Sequence, residues 1–175
     1  RRTSLVGELL LIIRQFEVDD LPKIHAFFDQ MGIESTKFFN TNDVNRKFAV
    51  KFVTEKNKSI IRWLAEVDGQ MIGYVFLWDI DTTLPWLGIA VHDLYKGKGI
   101  GKQLIDHANK WAEENGKGGV ILITAKDNKR GQKLYEGMGY QYYGIHPSGE
   151  LLYIKRFIAF HDPETEGRLP IIPGF

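Results

Sequence analysis

The run "YKGKGIGK" (Tyr95–Lys102) sets Gly97, Gly99 and Gly101 at alternate positions and places Lys96, Lys98 and Lys102 around them, with Ile100 the one bulky side chain between. Glycine lets backbone amides approach a ligand with no Cβ in the way. A helix that starts there adds unpaired N–H groups and a partial positive charge. Together these are the parts of an anion site, and phosphate is the natural guest. A second basic group, Lys126, Lys129, Arg130 and Lys133, falls at another predicted helix start. Seven cations at two helix starts, in a chain whose net charge is only +1, suit a ligand with several phosphates. A flexible linker, or a helix start with a solvated basic rim, would use the same residue types. The alternating glycines favour phosphate.

Two familiar phosphate loops do not fit. The P-loop pattern G-x-x-x-x-G-K-(S/T) needs a hydroxyl after its lysine, whereas Lys102 precedes Gln103. The dinucleotide fingerprint G-x-G-x-x-G needs its last glycine one residue beyond Gly101 and an acidic end to the following strand. That strand ends "ILITAKDN", with Asp127 beyond it.

The totals exclude other classes. At 175 residues, 43% hydrophobic and 13% aromatic, the chain is expected to form one domain over residues 1–160, with a C-terminal tail at 161–175. A balanced charge does not advertise nucleic-acid binding. No cysteine is present, which removes disulfides, thiolate metal sites and a cysteine nucleophile, and no metal is expected. The longest apolar run, Leu9–Ile13, is far short of the roughly 20 residues that span a bilayer. The basic, apolar start "RRTSLVGELLLII" invites a signal-peptide reading, but Glu8 interrupts it and no small-residue cleavage site follows. A first strand and a cytoplasmic location are the expectation. The tail holds three of the six prolines and is a candidate homodimer contact.

The elements that position these residues follow from periodicity. Leu9–Phe16 reads as a buried strand. "DDLPKIHAFFDQMG" reads as a helix with Asp20 as cap, Pro22 in the first turn and Gly32 as stop. "TNDVNRKFAVKFVT" repeats Val44, Phe48 and Phe52 at helical spacing, and "IIRWLAEVDGQMIGYVFLW" is a hairpin about Asp68-Gly69. Leu84–Val91 is a further strand. Ile100, Leu104, Ile105, Ala108, Trp111 and Ala112 trace one helical face. Gly118–Ala125 reads as a doubly buried strand, "DNKRGQKLYEGMG" as a short helix, and the remainder as a hairpin near Pro147-Ser148-Gly149. The strands flanking the glycine-rich helix must run parallel. The fold class is therefore α/β (α+β), a mixed sheet with helices on both faces.

"YKGKGIG" resembles the pyrophosphate-binding signature of the GNAT superfamily of N-acetyltransferases: Arg or Gln, two residues, Gly, one residue, then Gly or Ala. Lys96, Gly99 and Gly101 take the defined places. "NKRGQKLYEGMGY" resembles the second signature, with Asn128, Leu134, Tyr135, Gly139 and Tyr140 in register. Two positions depart: Lys96 keeps a cation but not a planar donor, and Gly131 stands where Ala is usual. The resemblance runs from about Leu10 to Phe157. It implies a mostly antiparallel sheet of about seven strands with a parallel pair at its centre, and acetyl transfer from acetyl-CoA to a primary amine. It also implies that the backbone of Ile89, Ala90 and Val91 pairs with the pantetheine arm, with the Val91 N–H polarising the thioester carbonyl. Gly97 to Lys102, with Lys96 and Lys133, would hold the pyrophosphate, and Asn128 would touch the arm. Tyr135 would protonate the departing sulfur; it lies seven residues after Asn128, on the same helical face.

No carboxylate lies on the strand before the loop. Asp79, Asp81, His92 and Glu150 are candidates for the general base, and a chain of waters is an equal one. Glu34, Phe38, Phe39, Trp78, Trp86, Tyr142 and Tyr143 are candidates for the acceptor pocket, the acceptor being a small-molecule or protein amine. A non-catalytic acyl-CoA sensor is the alternative function, and a nucleotide-binding or interaction protein a third.

Overall fold

The computed structural model describes residues 1–6, 9–32 and 42–157. The described residues form one sheet in the order β1-β2-β3-β4-β5-β6-β8-β7. Its strands are β1 (Arg2–Val6), β2 (Leu9–Gln15), β3 (Ile60–Val67), β4 (Gln70–Trp78), β5 (Trp86–Val91), β6 (Gly119–Thr124), β7 (Gln141–Ile145) and β8 (Leu151–Arg156). Among the described residues four α-helices accompany them: α1 (Leu21–Gln30), α2 (Asn42–Thr54), α3 (Ile100–Glu114) and α4 (Lys129–Gly137). Every pairing is antiparallel except β5 with β6. The sheet has eight strands rather than about seven. The addition is β1, which the apolar signal beginning at Leu9 hides because Leu5 is 70% exposed and the strand lies at the sheet edge. Ser4 Oγ donates to Gln103 Oε1 at 2.5 Å and Arg2 meets Asp106 at 2.5 Å, tying β1 to α3.

Local sequence explains the connections. Asp68 and Gly69 take φ of 49° and 75°, the paired positive angles of a tight hairpin that Asp-Gly favours. Pro22 sits in the first turn of α1. Asp20 does not cap that helix through its side chain. Its carboxylate instead takes Arg14 Nη1 and Nη2, both at 2.7 Å, and the Glu17 N–H at 2.7 Å. Arg14 and Lys23 also reach Glu66 on β3, at 3.1 and 2.7 Å. This network pins α1 to β2 and β3. Burial pushes the Asp20 and Glu66 carboxyls up; the hydrogen bonds and charges of Arg14 and Lys23 outweigh it and hold both below the usual carboxylate range.

The core has two faces. On one, α3 presents Ile100, Leu104, Ile105, Ala108 and Ala112 to Val75, Leu87, Ile89, Val120 and Leu122. On the other, Ile24, Phe27 and Phe28 of α1 and Ala49 and Phe52 of α2 pack on Leu64, Tyr74 and Ala90. Each such buried aliphatic or aromatic side chain is worth about 1.5–3 kcal/mol, so α3, which carries the loop on its N-terminus, is held firmly.

Candidate functional site

The three alternate glycines serve two different needs. Gly97 and Gly99 both have φ of +80°, a left-handed conformation that a side chain would strain, and Gly99 is the N-cap residue of α3. Gly101 answers a packing need: a Cβ there would stand 3.1 Å from Leu134 of α4. Behind the loop, α3 and α4 close up. Arg130 Nη2 lies 3.4 Å from where a Gly97 Cβ would be, so the second basic group does reach the loop. Lys98 Nζ sits 5.2 Å above the Tyr95 ring.

Beside the loop the sheet comes apart. β5 and β6 share a single paired position, Trp86 with Ile121. Ile121 N donates to Pro85 O at 3.0 Å, and at the far end of β5 His92 N donates to Ile72 O on the β4 side at 2.8 Å. Backbone groups alternate sides along a strand. The N–H and C=O of Ile89 and Val91 therefore turn toward the gap, while those of Ala90 turn toward β4.

A cavity of about 1190 Å³ occupies this gap and the loop above it. Its lining takes in Ile89, Ala90, Val91, Lys96, Gly97, Lys98, Gly99, Gly101, Lys102, Asn128 and Tyr135, eleven of the residues singled out from sequence. Two others lie outside the lining. The Ile100 side chain is 1% exposed in the core beneath α3, and Lys133 is exposed on α4. Lys126 is also outside it, so five of the seven loop cations face the cavity: Lys96, Lys98, Lys102, Lys129 and Arg130.

Asn128 caps α4. Its Oδ1 accepts the Gly131 N–H at 3.0 Å, and its Nδ2 donates to Thr124 Oγ1 at 3.1 Å. A Cβ on Gly131 would stand 2.5 Å from Asn128 Nδ2, so glycine there makes room for the cap. Two turns on, Tyr135 is 8% exposed and its ring packs near Tyr140 and Tyr153. Those neighbours commit their hydroxyls, Tyr140 to Asn109 Oδ1 at 2.6 Å and Tyr153 to Glu136 Oε1 at 2.9 Å. The Tyr135 hydroxyl has no hydrogen-bond partner among the described residues, and the residue lines the cavity. Burial pushes it up to about 12, so it keeps its proton near neutrality.

The candidate bases fare differently. His92 is 4% exposed and its Nδ1 accepts the Leu94 N–H at 3.2 Å. The one lone pair of the neutral ring then sits on Nδ1, turned to the Leu94 N–H, and Nε2 is buried with no hydrogen-bond partner among the described residues. Asp81 accepts from Ser59 at 2.5 Å, Glu150 from Ser148 at 2.9 Å, and Asp79 is exposed at a turn with φ of 55°. None of these four lines the cavity. Of the acceptor-pocket candidates, Trp78 and Trp86 stack 5.9 Å apart, Tyr143 packs beside them and Tyr142 is 56% exposed. Glu34, Phe38 and Phe39 lie outside the described residues. The cavity is also lined by residues that carried no site role in the sequence reading, Gly32, Asp93, Tyr95, Asp127 and Leu134. Asp93 carried a readable signal, a carboxylate three residues before Lys96.

The family model for the Acetyltransferase (GNAT) family matches residues 24–140. The chain belongs to that family. It is 28% identical to the uncharacterized N-acetyltransferase YhfO of Bacillus subtilis over 137 residues, covering 74% of this chain and 89% of that one. It is 30% identical to N-acetyltransferase family 8 member 2 of Rattus norvegicus over 85 residues, 45% of this chain. The match spans only 38% of that relative's length. The fold is that of the PaiA N-acetyltransferase of Thermoplasma acidophilum, solved in complex with coenzyme A. The TM-score is 0.69 at 19% identity, over 84% of this chain and 99% of that one. Among the described residues no helix is long and apolar enough to cross a membrane, and no group of side chains is placed to hold a metal.

Proposed function

We propose that the protein transfers the acetyl group of acetyl-CoA to a primary amine by direct attack of the amine on the thioester. The observation that carries this reading is that a glycine loop rich in cations, an unpaired strand edge and the buried Tyr135 line one cavity. The diphosphate of coenzyme A would rest on the amides of Gly97 to Lys102, with Lys98, Lys102 and Arg130 supplying charge. The pantetheine arm would extend along β5 as an added strand, using the backbone of Ile89 and Val91. The contribution of Ala90 is then its side chain, since its amide and carbonyl turn to β4.

A thioester carbonyl hydrogen-bonded to a β5 amide gains most when charge develops on its oxygen. The amine nitrogen adds to the carbonyl carbon and the carbon–sulfur bond breaks. The sulfur takes a hydrogen bond and then a proton from Tyr135, and the proton shed by nitrogen restores the hydroxyl. With the His92 lone pair turned to the Leu94 N–H and no carboxylate on β5, a water chain to bulk is the path by which the incoming ammonium loses its proton. Free-thiol release from acetyl-CoA, followed across polyamines, aminoglycosides, amino acids and peptides with a no-amine control, tests this reading. Turnover with one amine class is the expected result; acetyl-CoA binding without turnover favours a sensor.

A further inference from the structure

Among the described residues, Asp93 is the lining carboxylate tied down within the phosphate loop's own neighbourhood; Asp127, also in the lining, is exposed. Asp93 Oδ2 accepts the Gly32 N–H at 3.0 Å, just past the end of α1. Glycine leaves room for this contact: a Cβ at residue 32 would stand 2.6 Å from that oxygen and push the carboxylate aside. The other oxygen, Oδ1, pairs with Lys96 Nζ, and both side chains are only about a quarter exposed, 24% and 26%. A fixed negative charge in a cavity suited to phosphates opposes its ligand, so its presence calls for an account.

We propose that Asp93 is an internal counter-ion that stands in for phosphate, competing with the ligand for Lys96 and lowering affinity so that the product is released. This rests on the reading of the loop as a diphosphate site. In the free protein Lys96 is neutralised by a carboxylate that Gly32 holds in place. An arriving diphosphate draws Lys96 away and also meets the repulsion of Asp93. Affinity is the difference between these contributions, and Asp93 sets it without touching the thioester.

Asp93→Asn keeps an oxygen for the Gly32 N–H and removes the charge. Isothermal titration should show coenzyme A and inorganic pyrophosphate binding about two- to fivefold more tightly to the variant, the range of a partly exposed charge pair. Lys96→Gln adds a second readout. It should cost less affinity in the wild-type background than in Asp93→Asn, because the wild type holds Lys96 on the Asp93 carboxylate. Unchanged or weaker binding in Asp93→Asn, or an equal cost of Lys96→Gln in both backgrounds, overturns the proposal. Wild-type binding of pyrophosphate without coenzyme A would sink the acetyl-transfer reading while leaving this test intact on pyrophosphate. Binding of neither overturns both.

Discussion

Removing one oxygen, Tyr135→Phe, separates catalysis from folding more cleanly than any other change in this site. The hydroxyl makes no hydrogen bond to a described residue, so its loss leaves no protein donor or acceptor orphaned. Hydroxyl deletions of this kind are destabilising chiefly through the partner left behind. The melting temperature should therefore stay within a degree or two of wild type, or rise. Coenzyme A affinity should hold, since the loop and the β5 edge are untouched. The turnover number should fall about 10²–10⁴-fold, the usual contribution of a positioned proton donor, or about 3–5 kcal/mol of barrier. With the hydroxyl held at about 12, ionisation of Tyr135 would remove activity only in strongly alkaline solution. Any limb of the pH–rate profile between pH 6 and 9 should then survive the substitution unchanged. The assay is thiol release with the amine that gives turnover, alongside a thermal melt and a coenzyme A titration. A turnover number within threefold of wild type refutes the acid role, and a melting temperature lowered by many degrees refutes the claim that the hydroxyl has no structural partner.

Asp20→Asn should cost about 2–4 kcal/mol in urea unfolding at pH 7, somewhat below the figure for an uncompensated buried charge, because Arg14 keeps Glu66 as a partner. The wild type should itself lose stability in acid. Asp20 and Glu66 have depressed folded-state pKa values, so their contribution is complete above the ordinary carboxylate range and disappears as pH falls through the folded values; unfolding curves from pH 6 to 3 should be flatter in Asp20→Asn. Gly131→Ala should bring none of the roughly 1 kcal/mol that alanine ordinarily adds to a helix, because its methyl meets the Asn128 cap; a melting temperature clearly above wild type would contradict this. Gly88→Ala should destabilise by about 1–3 kcal/mol through overpacking, since its Cβ would fall 2.4 Å from the Phe76 ring, read as a lowered urea midpoint.

What could be read from sequence was whatever the backbone advertises locally. The Asp68-Gly69 hairpin, the α3 stripe from Ile100 to Ala112 and the glycine spacing each reflect a rule that holds within a few residues. The parallel placement of β5 and β6 followed from the helix between them. Contacts between distant segments were not legible. Nothing in "MGIES" announces that the Gly32 amide meets Asp93, and nothing in "RRTSLV" distinguishes an edge strand from a tail. Asp20 was expected to cap α1 and instead serves Arg14, because the buried carboxylate gains more from a two-pronged charged partner than from one amide. His92 was a candidate base until the Leu94 amide fixed its tautomer, a constraint visible only once the turn after β5 is in place.

The single rung between Trp86 and Ile121 has a further meaning. A sheet of eight strands ordinarily exposes raw backbone only at its two flanks, here β1 and β7. This one carries a third such edge in its middle, on one side of β5. In hydrogen exchange of the free protein, alternate amides of one central strand should differ sharply. Ala90, bonded to β4, should resist exchange, while Ile89 and Val91 should exchange like residues of a flank. An open edge is also a template for any extended chain. What guards it is the company it keeps: Tyr135 and Leu134 wall the cleft and a ring of cations surrounds its mouth, leaving room for a slender, anionic guest and little for another strand.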